Sequence, residues 1–343
     1  DQDKPGTESA LKCAKLISPQ KAKIATIPLK DANEMLVEKR YRELTDCIWG
    51  AKVYKPDGIV DGADIWNEVV REDEYVTAPY PFDCVELKTK GLRKGELVTI
   101  TAGTGVGKSS FCRHLALTLL EKNFKVGYIA LEENMKRTAL GIMSIALKTP
   151  LHMTRENVDN KTLRKTFEQT IGSGNFFLYN HFGSTESDNL LNKIRYLAKG
   201  CSADFIVLDH LHMALSSLGD AHTNDERKLI DYTVSKLRTL VEETGVGLIL
   251  VSHLRRSEGD KGFEDGKQVG LNSLRGSASI GQLSDMIISM ERNLQSTDDL
   301  VKLSILKNRF SGETGYAGSL RWDADQGILE EANDTEFTDG ELG

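Results

Sequence analysis

From residue 86 onward the chain alternates short apolar runs with longer amphipathic stretches. The runs "LVTIT", "KVGYIAL", "NFFLYN", "DFIVLD", "GVGLILVS" and "DMIISME" have strand length. Most segments between them read as helices, as where Phe111, Leu115 and Leu119 recur at helical spacing. Such alternation predicts an α/β fold with a RecA-like layout, a mostly parallel sheet with right-handed crossovers. The pattern changes near the end: "LVKLSILKNRF", "GYAGSLRWD" and "GILEE" are strands joined by tight glycine turns, which predicts an antiparallel extension. Residues 331–343 are acidic, contain glycine and read as a disordered tail.

The front of the chain is less regular. Residues 1–48 read as a small α/β piece, with a helix near residues 9–16, a strand at "KIATIP" and helix over "LKDANEMLVEKRYREL". Residues 49–85 hold Pro56, Pro79 and Pro81 and read as a linker. Inside it, "GADIWNEVVRED" predicts a short amphipathic helix with Ile65, Trp66 and Val69 on one side. Having little else to bury that side against, the helix is expected to dock on a neighbouring subunit, and head-to-tail contacts of this kind close into rings or extend as filaments.

Composition narrows the class. A chain of 343 residues suffices for one large domain plus an appendage. Its 39% hydrophobic and 28% charged content is ordinary for a soluble globular protein. There is no apolar run of spanning length, so no membrane partner is expected, and the N-terminus resembles no secretory signal. The five cysteines are scattered without a Cys-x-x-Cys pair, which argues against zinc and disulfides and suits a reducing, cytoplasmic setting. A net charge of −7 counts against a passive nucleic-acid coat protein but leaves room for local basic loops.

The chemistry starts at "ITAGTGVGKSSF". The phosphate-loop pattern Gly-x-x-x-x-Gly-Lys-Ser fits at 102–109, with Ala102 in its first place. Gly103, Thr104, Gly105, Val106, Gly107, Lys108, Ser109 and Ser110 stand between an apolar strand and a helix. There, backbone N–H groups and the helix N-terminus can hold the phosphates of a nucleoside triphosphate. Lys108 can reach those phosphates, and the Ser109 hydroxyl can ligate Mg2+. In open α/β sheets the reacting groups gather at the carboxyl ends of strands. Glu132 and Glu133 follow one strand, Asp209 and His210 another, and His253 a third. Asp209 suits the magnesium beside Ser109. Glu132 suits the base for the attacking water, with Glu133 as its rival, and His253 can sense the γ-phosphate.

Two stretches after His253 point to single-stranded nucleic acid. "HLRRSEGDKGFEDGKQ" carries Arg255, Arg256, Lys261 and Lys267 and reads as too polar and glycine-rich to pack. "SLRGSASIGQLSD" places Arg275 and Gly276 before a helix. Farther on, Lys307 and Arg309 end a strand on an edge expected to lie away from the chain's own glycine loop. An arginine there is explained by reaching a neighbour's nucleotide, where such a finger supplies about 10³–10⁵ in rate, or roughly 4–7 kcal/mol of barrier. A surface Arg–carboxylate pair, the other explanation, is worth under ~1 kcal/mol.

Taken together, "GTGVGKSS", "IALEEN", "FIVLDHLHM", "DERKLIDYTVSKLR", "LILVSHLRR", "LRGSASIGQLSD", "MERN" and "LKNRFSGETG" resemble the DnaB-like hexameric replicative helicases over residues 86–330. The closest likeness is to the helicase half of the bifunctional primase–helicases of short-tailed phages; the mitochondrial replicative helicase is more distant. The resemblance implies a RecA-like motor moving 5′→3′ on single-stranded DNA as a homohexamer, driven by ATP or dTTP with Mg2+. It implies Glu132 as the catalytic carboxylate, Asp209 on the magnesium side, His253 as γ-phosphate sensor, and Lys307 and Arg309 acting in trans. It further implies that Arg292 and Trp322 bracket the base and that Gln282 lies in a motif approaching the γ-phosphate. Residues 1–48 look like the end of a primase metal-binding (TOPRIM-like) domain, starting at Asp1 and Asp3, without the glutamate strand that precedes that pair. A phage-infected cell's cytoplasm is the setting this implies, the mitochondrial matrix a second one, and a DNA polymerase a partner for the acidic tail. A recombinase-like or clock-type RecA-fold ATPase is the rival from another class; Glu132 and the "KNRFSGETG" ending favour the helicase.

Overall fold

The computed structural model describes residues 2–17, 21–55, 60, 62–70, 76–180, 190–211, 226–254, 262–263, 265, 267–274, 278–295 and 300–332. The chain divides into two compact units, Asp1–Glu74 and Tyr75–Gly343.

In the first unit, α1 (Lys4–Leu16) begins where the Asp3 side chain caps Gly6 N–H, with Pro5 in the first turn. The expected second helix is two: α2 (Ala32–Val37), capped by Asp31, and α3 (Tyr41–Trp49). Lys39 between them adopts a left-handed φ of 61°, which interrupts the ladder of helical hydrogen bonds. β1 (Lys23–Ile24) pairs antiparallel with β2 (Lys52–Val53), so this small ladder continues past residue 48. A 3-10 turn, Gly62–Ile65, leads into the single helical turn α4 (Trp66–Val69). Ile65, Trp66 and Val69 are exposed within the unit.

The second unit starts earlier than the proline pattern suggested. β3 (Thr77–Ala78) pairs with β4 (Leu92–Arg93) around α5 (Asp83–Thr89), and Ala78, Tyr80, Phe82 and Val85 are buried in the core. Pro79 and Pro81 stand in a packed entry, where Phe82 lies against Phe111 and His114 and the Tyr80 hydroxyl donates to Met286 Sδ.

Among the described residues the main sheet has nine strands. In chain order they are β5 (Leu97–Ala102), β6 (Val126–Ala130), β7 (Phe176–Tyr179), β8 (Phe205–Asp209), β9 (Gly247–His253), β10 (Met286–Glu291), β11 (Leu300–Asn308), β12 (Gly315–Asp323) and β13 (Ile328–Glu331). Across the sheet the order is β13-β12-β11-β10-β5-β9-β8-β6-β7. The six strands from β10 to β7 are parallel, and β11, β12 and β13 continue antiparallel. The strands separate their side chains by period 2. Val98, Ile100, Ile249 and Val251 join Phe111, Leu115 and Leu119 of α6 (Lys108–Glu121) on one face. Leu97, Leu248, Leu250 and Ile206 meet Ile230, Val234, Leu237 and Val241 of α10 (Glu226–Thr244) on the other. Layers this close need small residues at crossings: a Cβ on Gly247 would stand 2.4 Å from the Phe205 ring. Among the described residues the unit also has α7 (Met135–Leu147), α8 (Asn160–Gln169) and α9 (Leu190–Arg195), and α11 (Ala278–Leu283) precedes β10. No helix among the described residues is long and apolar enough to cross a membrane.

Candidate nucleotide site

The glycine loop leaves β5 between Gly103 and Gly107 and enters α6 at Lys108. Gly105 and Gly107 hold φ of +76° and +109°, backbone conformations that a Cβ would strain, and this turns successive N–H groups inward. Lys108 is buried, its Nζ donating to the carbonyls of Ala102 (3.0 Å) and Gly103 (2.7 Å). It is therefore folded along the loop, placed where phosphate oxygens would replace those carbonyls as acceptors.

Parallel register brings the other groups to the same edge. Ala102 pairs with His253, and Ala130 with Asp209, so the ends of β5, β9, β8 and β6 open together. Asp209 is buried and accepts a hydrogen bond from the Ser109 side chain. Burial pushes its carboxyl above the ordinary value, against the Ser109 hydrogen bond and nearby His210, which lower it. A buried carboxylate joined to a serine hydroxyl is a pair of hard oxygen ligands, and a cation there would stabilise the ionised form. That chemistry fits Mg2+.

The two glutamates after β6 part company. Glu133 accepts both of its oxygens' bonds from Arg113 at 2.6 Å, with Thr138 donating at 3.0 Å and Arg137 at 3.4 Å. Glu132 stays over half exposed, and His210 Nε2 donates to its Oε1 at 2.6 Å. The His210 ring meets His253 edge-to-face, centroids 4.2 Å apart. Ser109, Arg113, Glu132, Glu133, Arg137 and Asp209 line a cavity of 620 Å³. His210 entered the sequence reading only as the neighbour of Asp209; its place at a strand end was the available signal. Arg113, a full helical turn past Ser109, carried no signal of its own.

Arg292, just past β10, and Trp322, near the end of β12, stand toward the glycine-loop edge. Met290 pairs with Ala102, and Glu291 pairs with Lys302 of β11, itself opposite Ser319 of β12. A Cβ on Gly105 would come within 3.9 Å of Leu294, so the segment after β10 runs beside the loop. Lys307, Arg309 and Gln282 gather at the opposite edge. Lys307 pairs with Ile287, and Ile287 with Thr99, near the start of β5. Lys307 Nζ donates to the carbonyls of Gly281 and Gln282, and Arg309 donates to the Gln282 carbonyl (2.6 Å) and to Asp285 (3.1 Å). Burial and the neighbouring Arg309 push the Lys307 ammonium below its ordinary value. At about 3.3 Å per residue, Arg309 lies roughly 15–20 Å along the strands from its own glycine loop.

Arg255, Arg256, Lys261, Arg275 and Gly276, like residues 333–343 of the acidic tail, lie outside the described residues. The described part of the first basic stretch does pack, contrary to its polar reading. Leu254, Phe263 and Val269 are buried together against Leu306, and the Val269 N–H donates to Glu291. Lys267 lies over the Phe263 ring at 5.7 Å.

A glycine loop entering a helix, with carboxylates and histidines at neighbouring ends of a parallel sheet, defines a RecA-like nucleotide-binding core. Residues 79–326 match the family described as the DnaB-like helicase C terminal domain, and the chain belongs to that family. A DNA helicase/primase of Enterobacteria phage T3 is 34% identical over 352 residues, an alignment covering 99% of this chain and 61% of that protein. The chain thus spans less than two thirds of that relative. Among solved structures, an isolated ATPase domain superposes with a TM-score of 0.63 at 21% identity, covering 81% of this chain and all of the other. A DnaB-like replicative helicase studied with its primase also gives 0.63, at 19% identity, with 95% and 76% covered. These structures share the fold.

Proposed function

We propose that the protein is the motor of a homohexameric DNA helicase that hydrolyses ATP or dTTP, moves 5′→3′ on single-stranded DNA and opens duplex at a replication fork. The observation carrying this reading is that the hydrolytic groups divide between opposite edges of one sheet. Lys108, Ser109, Asp209, Glu132 and His253 face one edge, and Lys307, Arg309 and Gln282 the other. Such a site is complete only between two copies arranged head to tail, the kind of contact that closes into rings or extends as filaments, and the ring is the form proposed. Family membership favours it over a recombinase-like or clock-type ATPase.

In this scheme Gly103–Ser110 hold the triphosphate, and Arg292 and Trp322 bracket the base. Ser109 and Asp209 would hold Mg2+, which would supply charge neutralisation to the triphosphate. Glu132 takes the proton of the attacking water, His253 reads the γ-phosphate, and the neighbour's Arg309 and Lys307 meet the charge that develops on it. His253 leads directly into the stretch carrying Arg255, Arg256, Lys261 and Lys267, so loss of the γ-phosphate is passed to a loop that, with Arg275 and Gly276, contacts DNA phosphates. The exposed Ile65, Trp66 and Val69 dock on the adjacent subunit. Residues 1–48 act as a remnant of a primase fold, the acidic tail engages a DNA polymerase, and the setting is the cytoplasm of a phage-infected cell. A forked duplex with a labelled strand tests the central reading. Strand release that needs a 5′ single-stranded arm, Mg2+ and a hydrolysable nucleotide is expected; hydrolysis stimulated by DNA without any strand release would instead favour the recombinase-like class.

A further inference from the structure

The histidine beside Asp209 has no part in the scheme above, and it stands in a cluster with a chemistry of its own. Glu132, His210 and His253 each present one ligand atom, and these three atoms all lie within 4.8 Å of one another. They come from three adjacent strand ends, β6, β8 and β9, so the sheet itself fixes their spacing. His210 is buried and braced edge-to-face by His253, whereas Glu132 is exposed and free to adjust by the ångström or so that coordination requires. We propose that Glu132, His210 and His253 form a binding site for a borderline-soft divalent cation of the Zn2+ type, separate in its ligands from the Ser109–Asp209 oxygens.

Ligand chemistry sets the two sites apart. Two imidazoles and one carboxylate with an open position is a donor set that zinc takes, at distances of about 2.0–2.2 Å. Mg2+ prefers oxygen donors and keeps its waters, so it has no advantage over Zn2+ at imidazole nitrogens. The ion would take the place of the proton that His210 Nε2 donates to Glu132 Oε1, 2.6 Å away, with the neutral imidazole carrying its proton on Nδ1 instead. It would also tie Glu132 to β8 and β9 and withdraw it from the attacking water. That last consequence, inhibition by Zn2+ that excess Mg2+ does not relieve, rests on the proposed function; the binding itself does not.

The test is direct metal binding to the full chain without nucleotide. Zn2+ is titrated against a chromophoric chelator, and Co2+ is used as a spectroscopic substitute. One ion per chain is expected, with Co2+ bands of a nitrogen–oxygen site and no thiolate charge-transfer band. His253→Asn and Glu132→Gln should each weaken binding at least as much as the roughly 10–100-fold that loss of an outer-sphere partner costs. His210→Asn should do the same, and because that residue is buried its variant is compared by melting first; the exposed Glu132 and half-buried His253 keep the test decisive if it fails to fold. Unchanged affinity in both the Glu132 and His253 variants, or a thiolate band pointing to one of the five cysteines, would overturn the site. If binding behaves as expected but Zn2+ leaves hydrolysis untouched, the site stands and the role given to Glu132 falls.

Discussion

Glu132 and Glu133 are neighbours of identical chemistry that the fold puts to different uses. Glu133 points back to α6 and spends both oxygens on Arg113, with Thr138 and Arg137 adding to the cluster. Glu132 points into the cavity and keeps one histidine contact. From sequence the pair stays ambiguous, because what separates them is an arginine twenty positions earlier on another element. The strand-end positions of Asp209 and His253 were legible, since an apolar run that stops at a polar residue marks the edge of a sheet. The contact between His210 and Glu132 was not, because periodicity places residues on an edge without saying which strands are neighbours. Glu133→Gln should leave the partly buried Arg113 without its counter-charge and cost about 1–3 kcal/mol in a denaturant titration. Glu132→Gln should melt as the parent does while slowing hydrolysis by about 10²–10⁴, the usual contribution of a general base. If it is Glu133→Gln that stops hydrolysis in a fully stable protein, the two assignments must be exchanged.

At the scale of elements, α6 shows how the glycine loop is held. The helix is buried on most of its circumference, with Phe111, Leu115 and Leu119 against the sheet and His114 toward β13. The Leu329 N–H donates to His114 Nε2 at 3.0 Å, which requires that nitrogen to be unprotonated. Burial accordingly lowers the His114 pKa from 6.5 to about 4. In the unfolded chain the imidazole takes up its proton near pH 6.5, so between the two values the unfolded state binds more protons. The stability from this group is complete above pH 6.5 and is lost as pH falls toward 4. At pH 5 the loss should be about 2 kcal/mol, at 1.36 kcal/mol per unit. Carboxylates titrate in both proteins, so the comparison is with His114→Gln, whose amide oxygen can accept the same N–H without titrating. Equal slopes for parent and variant between pH 7 and 5 would show that the histidine is not held neutral. This tie was invisible in the sequence, where His114 is one polar residue on a helix. The alternation of strands and helices was plain, but the packed entry at 76–85 was masked by its prolines, which mark turns whether or not the aromatic residues between them are buried.

The whole molecule, taken as a single chain, has the groups proposed for hydrolysis on two edges of one sheet. Met286 pairs with Val98 and with Asn308, so the strand carrying Lys307 and Arg309 ends where β5 begins, while the glycine loop starts where β5 ends. A flexible side chain does not bridge that gap, since an extended arginine reaches about 7 Å, roughly two residues of strand. Among the described residues the Arg309 side chain bonds Asp285 and the Gln282 carbonyl, and Asp285 is also held by Arg238 and the Leu97 N–H. Because Asp285 keeps those partners, Arg309→Ala should fold, bind nucleotide and assemble like the parent, yet hydrolyse about 10³–10⁵-fold more slowly if the arginine acts as a finger. Lys108→Ala should be equally inactive for a different reason, the loss of its own phosphate contact. In head-to-tail rings the two defects fall on different sides of each interface. An equal mixture should restore about a quarter of the interfaces, those pairing an intact Lys108 with a neighbour's intact Arg309. Hydrolysis measured against mixing ratio should then rise above both parents and peak near equality. Doping each variant with unaltered subunits calibrates how well isolated interfaces fire. If doped rings are active but the two variants never rescue each other, Arg309 acts within its own subunit and the division of the site between two edges has been misread.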